Sequence, residues 1–308
     1  MTSKIGIIYN CEGSGHAMRM LAIAQRLEEK NIQFEMTGGG PGEKFLEMRG
    51  LSQYKPCVTD MRTRIEQNIL KAGLYTFTDP IKRIKDLRKW IRREEHDAVI
   101  TDDPSGLIAA YLEGKKFYTV SHVTHQVPED RFESWATWII NRLVIPRSEE
   151  FFYPAIWEGL TPETGTRVGP LAPKGGEMDL DFDILVVPTE AAEMDERFIE
   201  ELKQDYEVKV VGSDNWELQP SLQPFISEAD VVICAGYSTM MEASVAGTSV
   251  VMMPQTSEQK GVANLLEDYD GFKMFSGDIM EDVEKVERPE PRENGADQIA
   301  EKVSQDLK

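Results

Sequence analysis

The feature that most constrains this chain is a repeating rhythm. A short apolar run is followed by a turn rich in glycine or acid, then by a segment with helical periodicity. In the first half the runs are Ile5–Tyr9, Gln33–Met36, Ala98–Thr101 and Phe117–Val120. The helical segments between them are His16–Lys30, Lys44–Arg49 and Gly106–Leu112. In the second half the runs are Ile184–Val187, Val208–Val211, Val231–Cys234 and Val250–Met253. They alternate with helices expected at Ala192–Leu202, Leu222–Ser227, Ser238–Ala246 and Val262–Leu266, and a last amphipathic helix at Ala296–Leu307. Strands this short and apolar are buried on both faces, which requires a parallel sheet sandwiched by helices.

The rhythm breaks once. Thr161–Asp181 (TPETGTRVGPLAPKGGEMDLD) has the glycine, proline and charge content of a linker. The expected fold class is therefore α/β, with two Rossmann-like domains over residues 1–168 and 169–308. Their parallel sheets would face a cleft, with ligands held at the carboxyl ends of the strands.

Charge narrows the partners. A formal net charge of −20 opposes the phosphate backbone, so no nucleic acid is expected. Cys11, Cys57 and Cys234 lie far apart and show neither a disulfide framework nor metal spacing. The N-terminus lacks a secretory pattern and no apolar run reaches membrane-spanning length, so a cytoplasmic protein is expected.

The first turn carries Gly13-Ser14-Gly15-His16 between strand and helix. Met18 stands where a dinucleotide fingerprint needs its third glycine, and no P-loop lysine follows. What remains is an open helix start that attracts an anion, with His16 placed as a general base. A tight turn closed by a packed histidine fits the same residues. Asp102 and Asp103 end a strand of the same half, so they share the sheet edge with His16; either could orient the imidazole. Asp103, before Pro104, equally suits a helix cap. His122 and His125 follow the next strand and are expected at the same rim; without a third ligand they imply no metal.

Ala229–Asn264 joins a strand, the Ala235-Gly236 turn and a helix opening at Ser238-Thr239, where a diphosphate could sit. Glu242 lies one turn on, Gly247 suits a left-handed helix stop, and Gln259 and Asn264 lie near the next helix start. An ordinary βαβ unit would show the same capping residues.

This segment resembles the donor half of GT-B glycosyltransferases, and is most similar to the MurG-like group of glycosyltransferase family 28. The likeness rests on Gly236-Tyr237-Ser238-Thr239-Met240-Met241-Glu242, on Gly247-Thr248-Ser249, and on Gln259 and Asn264, which are spaced slightly wider than usual. Gly13–Arg19, as Gly-x-Gly-His-x-x-Arg, is similar to the first turn of the same group. The resemblance implies metal-independent transfer of a sugar from a nucleotide donor, with a uridine diphosphate sugar expected, and no cofactor. Glu242 would bind ribose, the Ser238-Thr239 helix start the diphosphate, and His16 would act at the acceptor. The chain departs from the pattern at Pro188-Thr189-Glu190, which replaces a glycine-rich loop. Hydrolases of nucleotide sugars share a Gly-x-Gly-His-x-Met-Arg turn, so water is the alternative acceptor; a non-catalytic nucleotide-sugar-binding protein is the third reading.

One basic island interrupts the acidic chain. Arg62–Arg93 carries ten Lys or Arg against three Asp or Glu. Within it Ile81, Ile84, Leu87 and Ile91 follow helical spacing beside Trp90, opposite Lys82, Lys85, Lys89, Arg92 and Arg93. A basic amphipathic helix with a tryptophan reads either as an anionic membrane contact or as a helix packed on the sheet. With the aromatic stretch Phe132–Trp157, the first reading suits a lipid-linked hydroxyl acceptor and a peripheral place at the inner membrane face.

Overall fold

The computed structural model describes residues 3–51, 53–59, 72–121, 145–159, 165–176, 178–188 and 196–308. The first half runs β1 (Lys4–Ile8), α1 (Ser14–Glu29), β2 (Gln33–Thr37), α2 (Glu43–Met48), β3 (Gln53–Tyr54), α3 (Ala72–Glu94), β4 (Ala98–Thr101), α4 (Pro104–Leu112), β5 (Lys116–Val120), β6 (Glu150–Pro154) and β7 (Thr166–Val168). The second half runs β8 (Ile184–Val187), α5 (Glu196–Leu202), β9 (Val208–Val210), α6 (Gln223–Glu228), β10 (Val231–Cys234), α7 (Tyr237–Ala246), β11 (Ser249–Met252), α8 (Ser257–Leu266), β12 (Phe272–Met274), α9 (Ile279–Lys285) and α10 (Gly295–Asp306).

Two parallel sheets result. The first has the order β3-β2-β1-β4-β5-β6-β7 and the second β12-β11-β10-β8-β9. Their central strands are apolar and buried on both faces; Ile5, Ile7, Val99, Ile100, Leu185, Val186, Val232 and Val250 are wholly covered. In the first sheet the chain winds outward from β1 through β2, then returns to the other side of β1 at β4. The crevice at that switch lies beyond the carboxyl ends of β1 and β4. In the second sheet the same reversal falls between β8 and β10. Both switch points are where the sequence places its motifs.

The expected pair of Rossmann-like domains is present, with differences in detail. Thr166–Val168, read as linker, is an edge strand of the first sheet, and β6 and β12 were not expected as strands. The sheets divide between Val168 and Ile184, but α10 packs back onto α1. Arg26 Nε meets Asp297 Oδ1 at 2.8 Å, Lys30 meets Glu301 at 2.5 Å, and the Tyr118 hydroxyl donates to Asp306. One apolar cluster runs from Ile5 and Leu21 through Trp157 to Tyr237 and Ile299, so the halves share a core.

Most of the apolar face of the basic helix packs on the sheet, while Ile81 stays exposed. On α3, Leu87, Trp90 and Ile91 pack against Ile8, Val99, Leu107 and Phe117. Trp90 is only 2 % exposed and lies between the Tyr54 and His96 rings, so it is a core residue and no interfacial anchor. Arg88 and Arg92 both hold Glu113, and Arg93 holds Glu94. Phe151, Phe152, Tyr153 and Trp157 are likewise buried, in and just after β6. Trp135 and Trp138 lie outside the described residues, as does the start of the basic island.

Candidate active site

The turn from β1 to α1 is opened by Gly13, whose φ of 89° lies where L side chains are strained. No side chain caps α1, and Ser14, Gly15 and His16 form its half-buried first turn. Register brings the second element. Ile8 pairs with Thr101, so Asp102 emerges beside the end of β1. Its Oδ1 accepts from the Asn10 N–H at 2.7 Å, and its Oδ2 lies 2.7 Å from His16 Nδ1. The Asp102 side chain is 4 % exposed and the His16 side chain 26 %. Burial alone would raise the Asp102 carboxyl. His16, the Arg19 charge and the Asn10 N–H together bring it below the ordinary aspartate value.

A carboxylate can only accept, so the Asp102 contact places the ring hydrogen on Nδ1. Nε2 then carries the lone pair, which is the form a general base needs. Arg19, one helical turn on, brings Nη2 to 2.8 Å from the same Nδ1 and to 3.5 Å from Asp102 Oδ2. The sequence motif contains Arg19, but its part in the site was missed. The signal was its i+3 spacing from His16 on one helix face.

Asp103 turns the other way. Its Oδ1 caps α4 by accepting from Ser105 N at 2.7 Å, and its Oδ2 accepts from Arg83 Nε at 2.7 Å. Both side chains of that ion pair are wholly buried, and Arg83 also donates to the carbonyls of Val58 and Tyr9. Of the two aspartates it is Asp102 that contacts His16; Asp103 is a helix cap and the counter-ion of Arg83 on α3.

The facing element is the start of α7. Gly236 is its N-cap and supplies no side-chain cap, so the first N–H groups of the helix point outward unclaimed by its cap residue. Tyr237 ties this helix start to the first domain: its hydroxyl accepts from Ile156 N and donates to Pro154 O, and its ring lies 5.2 Å from that of Trp157. Gly15 then lies directly against Ser238. A Cβ added at Gly15 would run into Ser238 Oγ and come within 2.8 Å of its Cβ. Two helix starts, one carrying His16 and the other Ser238 and Thr239, thus meet edge to edge.

Glu242 lies one turn into α7, 6 % exposed, and its Oε2 has no hydrogen-bond partner among the described residues. Burial pushes its carboxyl up to about 8, against the opposing charge of Arg49. A buried oxygen with no partner is costly unless something fills the gap, and a hydroxyl donor would do so. Arg49 itself reaches across from the end of α2 to the carbonyls of Lys174 and Pro220. Gly247 ends α7 in the left-handed conformation, with φ 72°.

Two residues expected to contact the donor sit on α8. Gln259 is the third residue of α8, and its side chain accepts from the backbone N–H groups of Gln255 and Thr256 while Thr256 Oγ1 accepts from Gln259 N. That capping box uses the side chain that the motif assigned to substrate. Asn264 is exposed further along α8. Pro188 ends β8, whereas Thr189, Glu190, His122 and His125 lie outside the described residues.

No protein-family model matches the chain, and no curated protein matches it in sequence. Solved structures match it along nearly its whole length. SsfS6, a glycosyltransferase from Streptomyces sp. SF2575, superimposes with a TM-score of 0.65 at 14% identity, covering 98% of this chain and 96% of its own. The same protein complexed with thymidine diphosphate gives 0.66 at 15% identity, covering 98% and 99%. MurG from Acinetobacter baumannii gives 0.60 at 14% identity, again covering 98% and 99%. With its two parallel sheets, each wound about a switch point, this chain has the fold of these glycosyltransferases, GT-B.

Proposed function

We propose that the protein is a glycosyltransferase that moves a sugar from a nucleoside diphosphate donor to a hydroxyl acceptor. The observation that carries this reading is the meeting of a His16–Asp102 pair with the uncapped start of α7. His16 Nε2 takes the proton of the acceptor hydroxyl as its oxygen attacks the anomeric carbon. The bond from that carbon to the diphosphate oxygen breaks, and the diphosphate leaves with the electron pair. The N–H groups and dipole at Tyr237, Ser238 and Thr239 stabilise the charge that develops there, a task that otherwise falls to a cation. Gly13 keeps a side chain out of the approach, Gly15 leaves room for Ser238, and Glu242 accepts from the ribose hydroxyls through Oε2, which has no partner among the described residues.

Support for a uridine donor comes from the motif resemblance, whereas the bound nucleotide of SsfS6 is thymidine diphosphate. A lipid-linked acceptor loses the support of Trp90, which is buried. The exposed Lys85 and Lys89 remain available to an anionic surface. The test is release of nucleotide from a panel of uridine and thymidine diphosphate sugars, with and without a lipid extract. Release that needs the extract supports transfer to a lipid-borne hydroxyl. Release in buffer alone assigns the same site to hydrolysis. Binding without any release overturns the catalytic reading.

A further inference from the structure

The His16 ring nitrogen Nδ1 has two polar neighbours within hydrogen-bond reach, and they make opposite demands. Asp102 Oδ2 needs a hydrogen on Nδ1, whereas Arg19 Nη2 could donate only to a bare Nδ1. The carboxylate, which can only accept, sets the hydrogen on Nδ1, so Arg19 acts on the ring through its charge and not as a donor. Asp102 and Arg19 are 4 % and 6 % exposed, so each is taken almost wholly out of water. A buried carboxylate without a counter-ion is strongly disfavoured and draws a proton or a cation to itself. Were His16 its sole partner, the ring would be drawn into the imidazolium form, and an imidazolium has no lone pair with which to act as a base.

We propose that Arg19 is a positioning residue: it serves as the standing counter-ion of Asp102 and so releases His16 to remain neutral with Nε2 free. With Arg19 present the three groups sum to zero when the ring is neutral. Without it they sum to zero only when the ring is protonated. Arg19 is suited to the task because its guanidinium is permanently charged and is anchored on the same helix face as His16. The direction of the Asp102 carboxyl, held low partly by the Arg19 charge, agrees.

Among the described residues, the other groups around the pair do not replace Arg19. Glu12 precedes the helix on the same turn and has the wrong sign. Cys11 is buried, its thiol pushed up to about 12 by that burial. From α7 the neighbours are Tyr237, whose phenol burial also raises, and the neutral Ser238. The neighbouring Asp103 is already matched by Arg83.

This inference rests on His16 acting as the base, and its test separates the two. Arg19→Gln keeps a hydrogen-bonding side chain without the charge, Arg19→Met removes both, and Arg19→Lys keeps the charge. The first measurement needs no substrate: ring-nitrogen NMR of protein labelled with ¹⁵N-histidine, titrated with pH, with His16 assigned through His16→Gln. The His16 ring should become protonated about one pH unit higher in the Gln and Met variants than in the wild type, and close to the wild-type position in the Lys variant. The second is nucleotide release against pH. The acid limb should move upward by the same amount in the Gln and Met variants, a loss on the order of tenfold on the limb, with activity regained on its alkaline side.

If all three variants titrate like the wild type, the counter-ion role is overturned. A loss of activity equal at every pH assigns Arg19 a merely structural part and overturns it too. If the ring titration shifts as expected but His16→Gln still turns over, the Arg19 inference stands and the reading of His16 as base falls. Should Arg19→Met fail to fold, Arg19→Gln and Arg19→Lys still separate charge from contact.

Discussion

The two helix starts that meet at Gly15 and Ser238 are alike in backbone and unlike in what surrounds them. At α1 the functional group is already spoken for: His16 is held by Asp102, and Asp102 in turn by Asn10 and Arg19. At α7 Gly236 offers no side-chain cap, and the buried Glu242 oxygen has no partner among the described residues. The first arrangement is what a catalytic base requires, because its tautomer must be fixed before substrate arrives. The second is what a binding site requires, because hydrogen-bonding capacity spent within the protein is not available to a ligand. The contrast separates residues whose loss should reduce turnover from those whose loss should reduce affinity.

The largest effect is expected on the preassembled side. His16→Ala removes the proposed base and should lower turnover by about 10²–10⁴-fold. Binding of uridine diphosphate, measured by calorimetry, should stay within error of the wild type. Asp102→Asn should lose turnover in the same range, since an amide can present an N–H to Nδ1 and favour the wrong tautomer. Turnover that survives either change removes the pair from the mechanism. Next comes the neighbouring aspartate, which breaks the comparison if the assignment is wrong. Asp103→Ala leaves Arg83 charged and buried without its partner, a loss of about 3–5 kcal/mol. Denaturant unfolding should show that loss, while the turnover of the folded fraction is retained. A stable variant with no turnover would return Asp103 to the catalytic group.

These two aspartates show what a sequence can and cannot convey here. The alternation of apolar runs and helices is legible because strands buried on both faces leave few polar positions, confined to strand ends at Lys4, Thr101 and Ser249 across β1, β4, β8, β10 and β11. The edge strands β7 and β12 carry only three residues each, with polar or charged members, and read as loop. That both aspartates reach the cleft edge follows from parallel pairing. Which of them faces His16 depends on the direction a side chain leaves a strand end, and on Arg83, distant in sequence, claiming the other. At Gln259 the reason is different: Thr256-Ser257-Glu258-Gln259 is a capping-box pattern as well as part of the motif, so the same side chain has two readings. Trp90 was ambiguous by nature, because an apolar helix face looks the same whether a sheet or a lipid covers it.

A medium effect is expected on the open side. Measured above about pH 8, where the carboxyl is ionised, Glu242→Gln keeps the shape but loses the charge, and should weaken uridine diphosphate about tenfold or more, by about 1.5–3 kcal/mol for a charged hydrogen bond. The pH dependence carries the same information. In the folded, ligand-free protein the Glu242 carboxyl is raised to about 8 from an ordinary 4.5, so folding retains a proton that the unfolded chain releases. Its contribution to stability is therefore fully present below about 4.5 and is lost as pH rises through about 8. A nucleotide that donates to the carboxylate reverses this preference, so affinity should strengthen as pH rises across that window. In Glu242→Gln both slopes should flatten. An unchanged pH slope in the variant would take Glu242 out of the nucleotide site.

The smallest effect tests whether motif or geometry should be believed at α8. Gln259→Ala removes a side chain that accepts from two backbone N–H groups ahead of the helix. Capping losses of this kind cost about 0.5–2 kcal/mol, visible as a modest fall in unfolding midpoint. Because that oxygen is already engaged, uridine diphosphate affinity should not change. A fall in affinity without a fall in stability would mean that the capping box opens when nucleotide binds. Gln259 would then belong with Glu242 among the groups left available to the donor, and the boundary between the two kinds of helix start would have to be drawn further along the chain.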